Sequence, residues 1–408
     1  MGVEPLLAAV HSRDAEAVHA LLDAGADPEV TDEHGTPILC LTVDTFAVEV
    51  VEALVISARL DRVAPDGRTA LLRAVDRGAY DIVEMLIARG AAMWHTDPEG
   101  RDALALARYW HETGAAEMLR RRTSQPAPAA CRTVASSDGT TCEELSTGAL
   151  TVRTGHSAIL TALEPRYGIT VSFGELLARA IAEPDVDHGV WWATTHELQH
   201  RHDPVSWEAA ASLRTQTDPL KRYFGAEVLR LTHLFDDSPE DPYDGPLTSL
   251  FLPWVAQEPD PRVVRALTAG LAEARDPRAE QRLPALARHP DARVRQRAVG
   301  GLHRAVTAGD PDALAAVVER AADAEAAVRR VACTALGAAP PCTAAASDAL
   351  AARLTDADEG VRVEAAARLA LRDDPRGADL LEALAAPDEA SPYYWLLYDV
   401  HRHRLRGR

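Results

Sequence analysis

A phrase of the form Asp-x-x-Val-Arg-x-x-Ala-x-x-x-Leu recurs between Asp260 and Leu371, and it limits the possible folds more than any other feature of the chain. Its valines stand at Val263, Val294, Val328 and Val361, with periods of 31, 34 and 33 residues. Repetition at that spacing describes stacked units that cover one another, not a single closed core. Within one unit, Val294, Ala298 and Leu302 fall at i, i+4 and i+8, the spacing of one helix face. A break at Gly309, Asp310 and Pro311 precedes a second apolar set at Leu314, Val317 and Val318. Asp before Pro suits a helix start, because the carboxylate accepts from free amides and proline fits the first turn. The same break recurs at Asp276-Pro277 and Asp374-Pro375. Each unit is therefore expected to be two short antiparallel helices.

Two helices per unit, an aspartate at the turn, Val-Arg and then Ala-x-x-x-Leu resemble HEAT-like repeats of the short type also found in phycobilin lyases. The resemblance implies an α-solenoid and names no reaction, since that repeat serves many purposes. The arginine after each valine is expected to form an inter-repeat ladder to the aspartate of the preceding turn. The competing reading is a basic stripe for phosphates.

Residues 1–122 repeat differently. Leu21-Leu22-x-x-Gly25-Ala26, His34-Gly35-Thr36-Pro37, Gly67-Arg68-Thr69-Ala70 and Leu86-Ile87-x-x-Gly90-Ala91 recur about every 32 residues. They resemble ankyrin repeats, about four units of them, with Thr36 and Thr69 placed to cap helices and Gly25 and Gly90 to end them. Arg120, Arg121 and Arg122 are expected to answer the last helix dipole and face solvent. Residues 123–150, rich in Pro, Ala, Ser and Thr, read as a flexible linker. From residue 151 helical patterning resumes and runs to 408, interrupted by an acidic insertion at Asp236–Gly245 and closed by a basic final helix. The expected fold is thus all-α, two α-solenoids in series, at 1–122 and 151–408.

One constellation could carry chemistry. His196-Glu197-x-x-His200 matches the zinc-peptidase motif: two histidines on one helix face could hold zinc while the glutamate activates water. The extended motif is missing, since Asp203 and Ser206 stand where Gly and His would be needed. A third ligand would have to come from elsewhere, such as Glu227 or His233. The bland reading is a repeat helix whose stripe of Trp191, Thr195, Leu198 and His202 faces the stack, with His196, His200 and Trp192 beside it. Cys131 and Cys142 share the linker and could pair under oxidation; the five cysteines otherwise show no framework, which suits a reducing cytoplasm.

A net charge of -19 argues against a general nucleic-acid binder. Tryptophans with Asp185 or Asp187 could still imitate the DNA glycosylases built on HEAT-like arrays. No stretch approaches a membrane span. A single lysine, Lys221, among abundant Ala, Arg and Asp suggests a GC-rich bacterial source. The resemblances imply a non-enzymatic cytoplasmic adaptor that needs no cofactor and binds a protein or peptide. Ankyrin arrays bind through turn tips, here Asp32, Glu33, His34, Asp66 and Asp97, whose acidity favours a basic partner. Trp191, Trp192, Trp207 and Tyr223 are further candidate contacts, as aromatic side chains are enriched at interaction hot spots. The alternatives are a zinc hydrolase at His196, Glu197 and His200, and a DNA-binding array.

Overall fold

A computed structural model describes residues 3–123, 130–136, 139–148, 150–383 and 391–406. The chain forms two compact units, Met1–Arg201 and His202–Arg408. Both are built from paired helices, and the only sheet among the described residues has three strands.

The first unit opens with four helix pairs: α1 (Val3–Ser12) with α2 (Ala15–Asp23), α3 (Ile38–Thr45) with α4 (Val48–Val55), α5 (Ala70–Arg77) with α6 (Tyr80–Ala88), and α7 (Ala103–Thr113) with α8 (Ala115–Thr123). Its apolar stripes, such as Leu71, Leu72, Val75, Ile82, Val83 and Leu86, are fully buried between neighbouring pairs. Burying each such side chain contributes roughly 1.5–3 kcal/mol, which no pair could gather alone. Thr69 caps α5 by accepting from Leu72 N at 3.3 Å. Thr36 does not cap α3. Thr36 follows Gly35 directly, where Arg68 stands between Gly67 and Thr69, so the threonine falls one residue ahead of the capping position and Pro37 takes it without a side-chain bond.

Within the segment expected as a linker, the described residues form strands. β1 (Ala130–Ala135), β2 (Thr141–Thr147) and β3 (Leu150–Arg153) form an antiparallel sheet in the order β1-β2-β3. Arg77 donates to Thr151 O at 3.1 Å, and Arg153 pairs with Asp81 at 3.2 Å, so the sheet is held on the ends of α5 and α6. Gly78, in a left-handed conformation, packs so closely that a Cβ would strike the Arg153 carbonyl and the His156 ring; a Cβ on Gly155 would strike the Gly78 carbonyl. In β1 Cys131 faces Leu145, while Cys142 faces Val134. That register separates the two cysteines by three residues, about 10 Å along the ladder, too far for a disulfide.

Three more helices complete this unit: α9 (His156–Arg166), α10 (Phe173–Ile181) and α11 (Gly189–Gln199). α9 packs on α7 and α6, so the first compact unit continues to residue 201 and does not stop at 122. Arg122, expected in solvent, turns inward. It grips Asp76 with two bonds of 2.7 Å and lies 4.7 Å over the ring of Trp110, whose Nε1 also donates to Asp76 at 3.0 Å. Arg120 and Arg121 share Glu117 instead.

The second unit begins at α12 (Pro204–Ser212). Its pairs are α13 (Pro219–Leu234) with α14 (Asp244–Val255), α15 (Pro261–Glu273) with α16 (Pro277–Leu286), and α17 (Ala292–Gly301) with α18 (His303–Ala308) and α19 (Pro311–Arg320). Then come α20 (Ala326–Gly337) with α21 (Ala344–Ala351), α22 (Glu359–Leu371) with α23 (Ala378–Ala383), and α24 (Tyr394–Arg406), which packs on α22. The first helices of the pairs stack on one another, and the repeated Val263, Val294, Val328 and Val361 are fully buried there. The aspartates open helices as expected: Asp218, Asp260, Asp276, Asp291, Asp310 and Asp358 each accept from a first-turn amide.

The arginine ladder exists, but it runs forward. Arg295 pairs with Asp323, at the following turn, at 2.7 Å, and donates to the carbonyls of His289 and Pro290 in the turn before. Arg329 repeats this with Asp356 at 2.7 Å and the carbonyls of Asp323 and Ala324. The preceding aspartate is unavailable because its carboxylate already caps its own helix, as Asp291 does for Arg293 N and Val294 N. Arginines committed in this way leave no basic stripe for phosphates.

Candidate functional site

Three chain reversals project from the first array with the same backbone. Asp32 N, Ala64 N and Asp97 N donate to the carbonyls of Thr36, Arg68 and Arg101 at 3.1, 2.9 and 2.9 Å, making these positions equivalent. Gly35, Gly67 and Gly100 take the positive φ that each tight turn needs. The turns hold their own acids to different degrees. Asp32 accepts from the amides of His34 and Thr36, and although burial opposes ionisation these bonds hold its carboxyl below the usual range. Asp66 accepts from Arg68 N, pairs with Arg73 at 2.9 Å and stays exposed. Asp97 is buried, gripped by Arg101 and by the amides of Glu99 and Arg101, so it shapes its turn and is not displayed. What faces solvent on the three tips is Glu33 and His34, Asp66, and Glu99.

The residue three positions before each turn has a structural task in two units. Glu29 accepts from Arg59 N at 2.6 Å, and Asp61 accepts from Ala92 N at 2.8 Å, each tying one unit to the next. The equivalent position in the third unit is Trp94, which is 73% exposed. Val63, at the base of the second turn, and Ile56 are exposed as well. That a tryptophan stands where the array elsewhere places an acid was readable in the sequence, had the units been aligned on their glycines; its exposure was not.

The aromatic candidates do not gather into one surface. Trp191 is buried in α11 and donates from Nε1 to Glu183 O at 3.0 Å, while Trp192 stacks on His196 at 4.7 Å. Tyr223 is buried in α13, where burial pushes its phenol well above its ordinary range. Trp207, half-buried, lies 4.9 Å from the Tyr243 ring on a shallow surface with Pro246 and Leu250. Trp191 and Tyr223 are thus core side chains.

His196, Glu197 and His200 lie along α11 without building a metal centre. The His196 and His200 rings meet edge to face at 4.1 Å, His200 Nδ1 lies 2.9 Å from the His196 carbonyl, and Arg201 holds the Glu197 carboxylate at 2.9 Å. Burial, and then the neighbouring His200, push His196 down to about 4. Among the described residues no third His, Cys, Asp or Glu converges on this pair. The buried stripe is Trp191, Thr195 and Leu198; His202 is not part of it, because the helix ends at Gln199 and His202 takes a left-handed, exposed conformation. Asp185 and Asp187 also serve a turn: Asp185 accepts from Thr141 Oγ1 at 2.7 Å and from Asp187 N, and the Asp187 carbonyl accepts from Thr141 N. Burial raises the Cys40 and Cys333 thiols to about 12, far from a nucleophile's range.

Family models agree with the architecture. The model described as ankyrin repeats (3 copies) matches residues 6–97, and the model described as HEAT repeats matches residues 248–337. The chain joins ankyrin repeats to HEAT repeats. Both repeats are typical protein-interaction modules. No curated protein matches the chain. It is similar to the X-ray structure of the Escherichia coli protein YibA, at 16% identity over 52% of this chain and 74% of that one, with a TM-score of 0.42. That likeness is too distant to carry any argument about function. No described helix is long and apolar enough to cross a membrane.

Proposed function

We propose that the protein is a non-enzymatic adaptor that docks a basic protein or peptide segment on the turn tips of its ankyrin repeats, with Trp94 as the apolar anchor. The observation carrying this reading is Trp94 itself. It is mostly exposed, at a position whose structural duty has ended with the last inter-unit amide, so the fold gains nothing from an indole there. Tryptophan is enriched at interface hot spots. Glu33, Asp66 and Glu99 add acidic groups to the tips of the same array, and they would steer a basic partner more than they would hold it.

The test is affinity capture from native extract with the wild type, Trp94→Ala, and a charge variant combining Glu33→Gln with Asp66→Asn. The expected result is one species held by the wild type, lost with Trp94→Ala, and held by the charge variant with a weaker dependence on salt. An identical capture profile for wild type and Trp94→Ala would sink the proposal.

A further inference from the structure

The acidic insertion of the second unit, between α13 and α14, brings together three groups that no repeat requires. His233, in the last turn of α13, aims Nε2 at two aspartates, Asp244 at the start of α14 with its Oδ1 3.1 Å away and Asp241 of the loop between with its Oδ1 3.9 Å away. All three ligand atoms lie within 4.8 Å of one another, and among the described residues this is the one group of three or more His, Cys, Asp or Glu side chains to converge so closely. In a tetrahedral zinc site with bonds near 2.0–2.1 Å, neighbouring ligand atoms sit about 3.3 Å apart. The two measured separations bracket that value. A small contraction of the Asp241 loop would close the set.

Two independent features point to a cation. The first is charge. Elsewhere in this unit buried carboxylates are met by guanidinium groups: Glu258 by Arg222, Asp323 by Arg295, Asp356 by Arg329, Glu273 by Arg230. Asp241 and Asp244 have the imidazole and, for Asp244, the backbone amide of Arg275 at 2.8 Å, with no arginine side chain in salt-bridge range. Two carboxylates within reach of one imidazole leave a negative excess. The second feature is the ring. The His233 side chain is only 6% exposed, and the nitrogen it aims into the cluster is Nε2, so a buried imidazole presents a ligand atom to both carboxylates.

We infer that His233, Asp241 and Asp244 form a binding site for a first-row divalent transition metal, with zinc the fitting ion. One imidazole and two carboxylates suit zinc, cobalt or manganese; calcium and magnesium take all-oxygen sets. Three protein ligands leave the fourth tetrahedral position to water. The bound ion ties the end of α13 to the first turn of α14 and fixes the loop between them.

The experiment is calorimetric titration of Zn2+ into full-length protein freed of metal with a chelator, alongside His233→Ala, Asp241→Asn and the double variant His196→Ala/His200→Ala. Asp241 is partly exposed in a loop, so Asp241→Asn preserves the fold even if His233→Ala does not. The expected result is one Zn2+ per chain in the wild type, weakened at least tenfold in Asp241→Asn and His233→Ala, and unchanged in the His196/His200 variant. Zinc should also raise the Tm of the wild type and not that of Asp241→Asn. No stoichiometric uptake by the wild type, or uptake lost only with His196 and His200, overturns the inference.

Discussion

Asp76 shows how one side chain can hold several elements. Its buried carboxylate is met by Arg122, by Trp110 Nε1 and, at 3.4 Å, by Arg68, and although burial opposes ionisation these partners hold it below the usual carboxylate range. Removing Arg122 would leave a buried charge short of its main partner, so Arg122→Ala should cost about 3 kcal/mol in urea unfolding of the full chain. Arg122→Ala combined with Asp76→Asn should cost less than the two single changes added together. The neighbouring His156 makes a pH prediction. It is fully buried against Trp110, with rings stacked at 4.4 Å, and burial pushes it from 6.5 down to about 4. Between those values the unfolded chain takes up a proton that the folded chain refuses, so stability rises with pH across that window and declines on acidification. The loss by pH 4 is on the order of 3 kcal/mol, and it should largely vanish in His156→Phe, which keeps the stacking. Denaturant midpoints measured from pH 7 to pH 4.5 check both slopes. Neither partner of Arg122 was legible in the sequence, where three consecutive arginines at a helix end look like a solvated cap.

The ladder of the HEAT unit gives its prediction at the scale of an element. Arg295 to Asp323 and Arg329 to Asp356 are repeats of one device that fastens each unit to the next. A double-mutant cycle on Arg295→Ala and Asp323→Ala should show a coupling of about 2 kcal/mol, because both side chains are largely buried. A coupling near zero would reduce the ladder to surface decoration. The rung at the 260 unit is absent: Val264 stands where the arginine belongs, and His289 stands where the acceptor carboxylate belongs. His289 keeps only the second task of that position, accepting from Asp291 N through Nδ1. Period, helix pairs and capping aspartates were all readable, since each is a local signal repeated several times. The direction of the ladder was not, because it depends on which carboxylates are already occupied. The sheet at Ala130–Arg153 was missed for a related reason. Its strands are short and polar, and Glu144 and Arg153 are buried only because they meet each other, Arg132 and Asp81.

For the whole molecule, a charge of -19 coexists with many arginines that pair with the chain's own carboxylates, and what the turn tips offer a partner is acid and one indole. The two repeat families were legible from spacing alone, and the exposed side chains of the turns only in part: the turn tips were named, but Asp97 is buried there and exposed Trp94 was overlooked. Exposure depends on what the next unit covers, and a single repeat read by itself does not contain that information. Trp94→Ala should therefore change stability by under about 0.5 kcal/mol while removing binding. On the proposed reading the ankyrin turn tips, not the His196–His200 helix, meet the partner. Hydrogen exchange of the full chain, with and without the captured protein, tests it most directly. Slowed exchange is expected at residues 31–36, 63–69 and 94–101, with residues 196–200 unchanged. Protection confined to the 196–200 segment or to the HEAT unit, with the three turns unaffected, would contradict it.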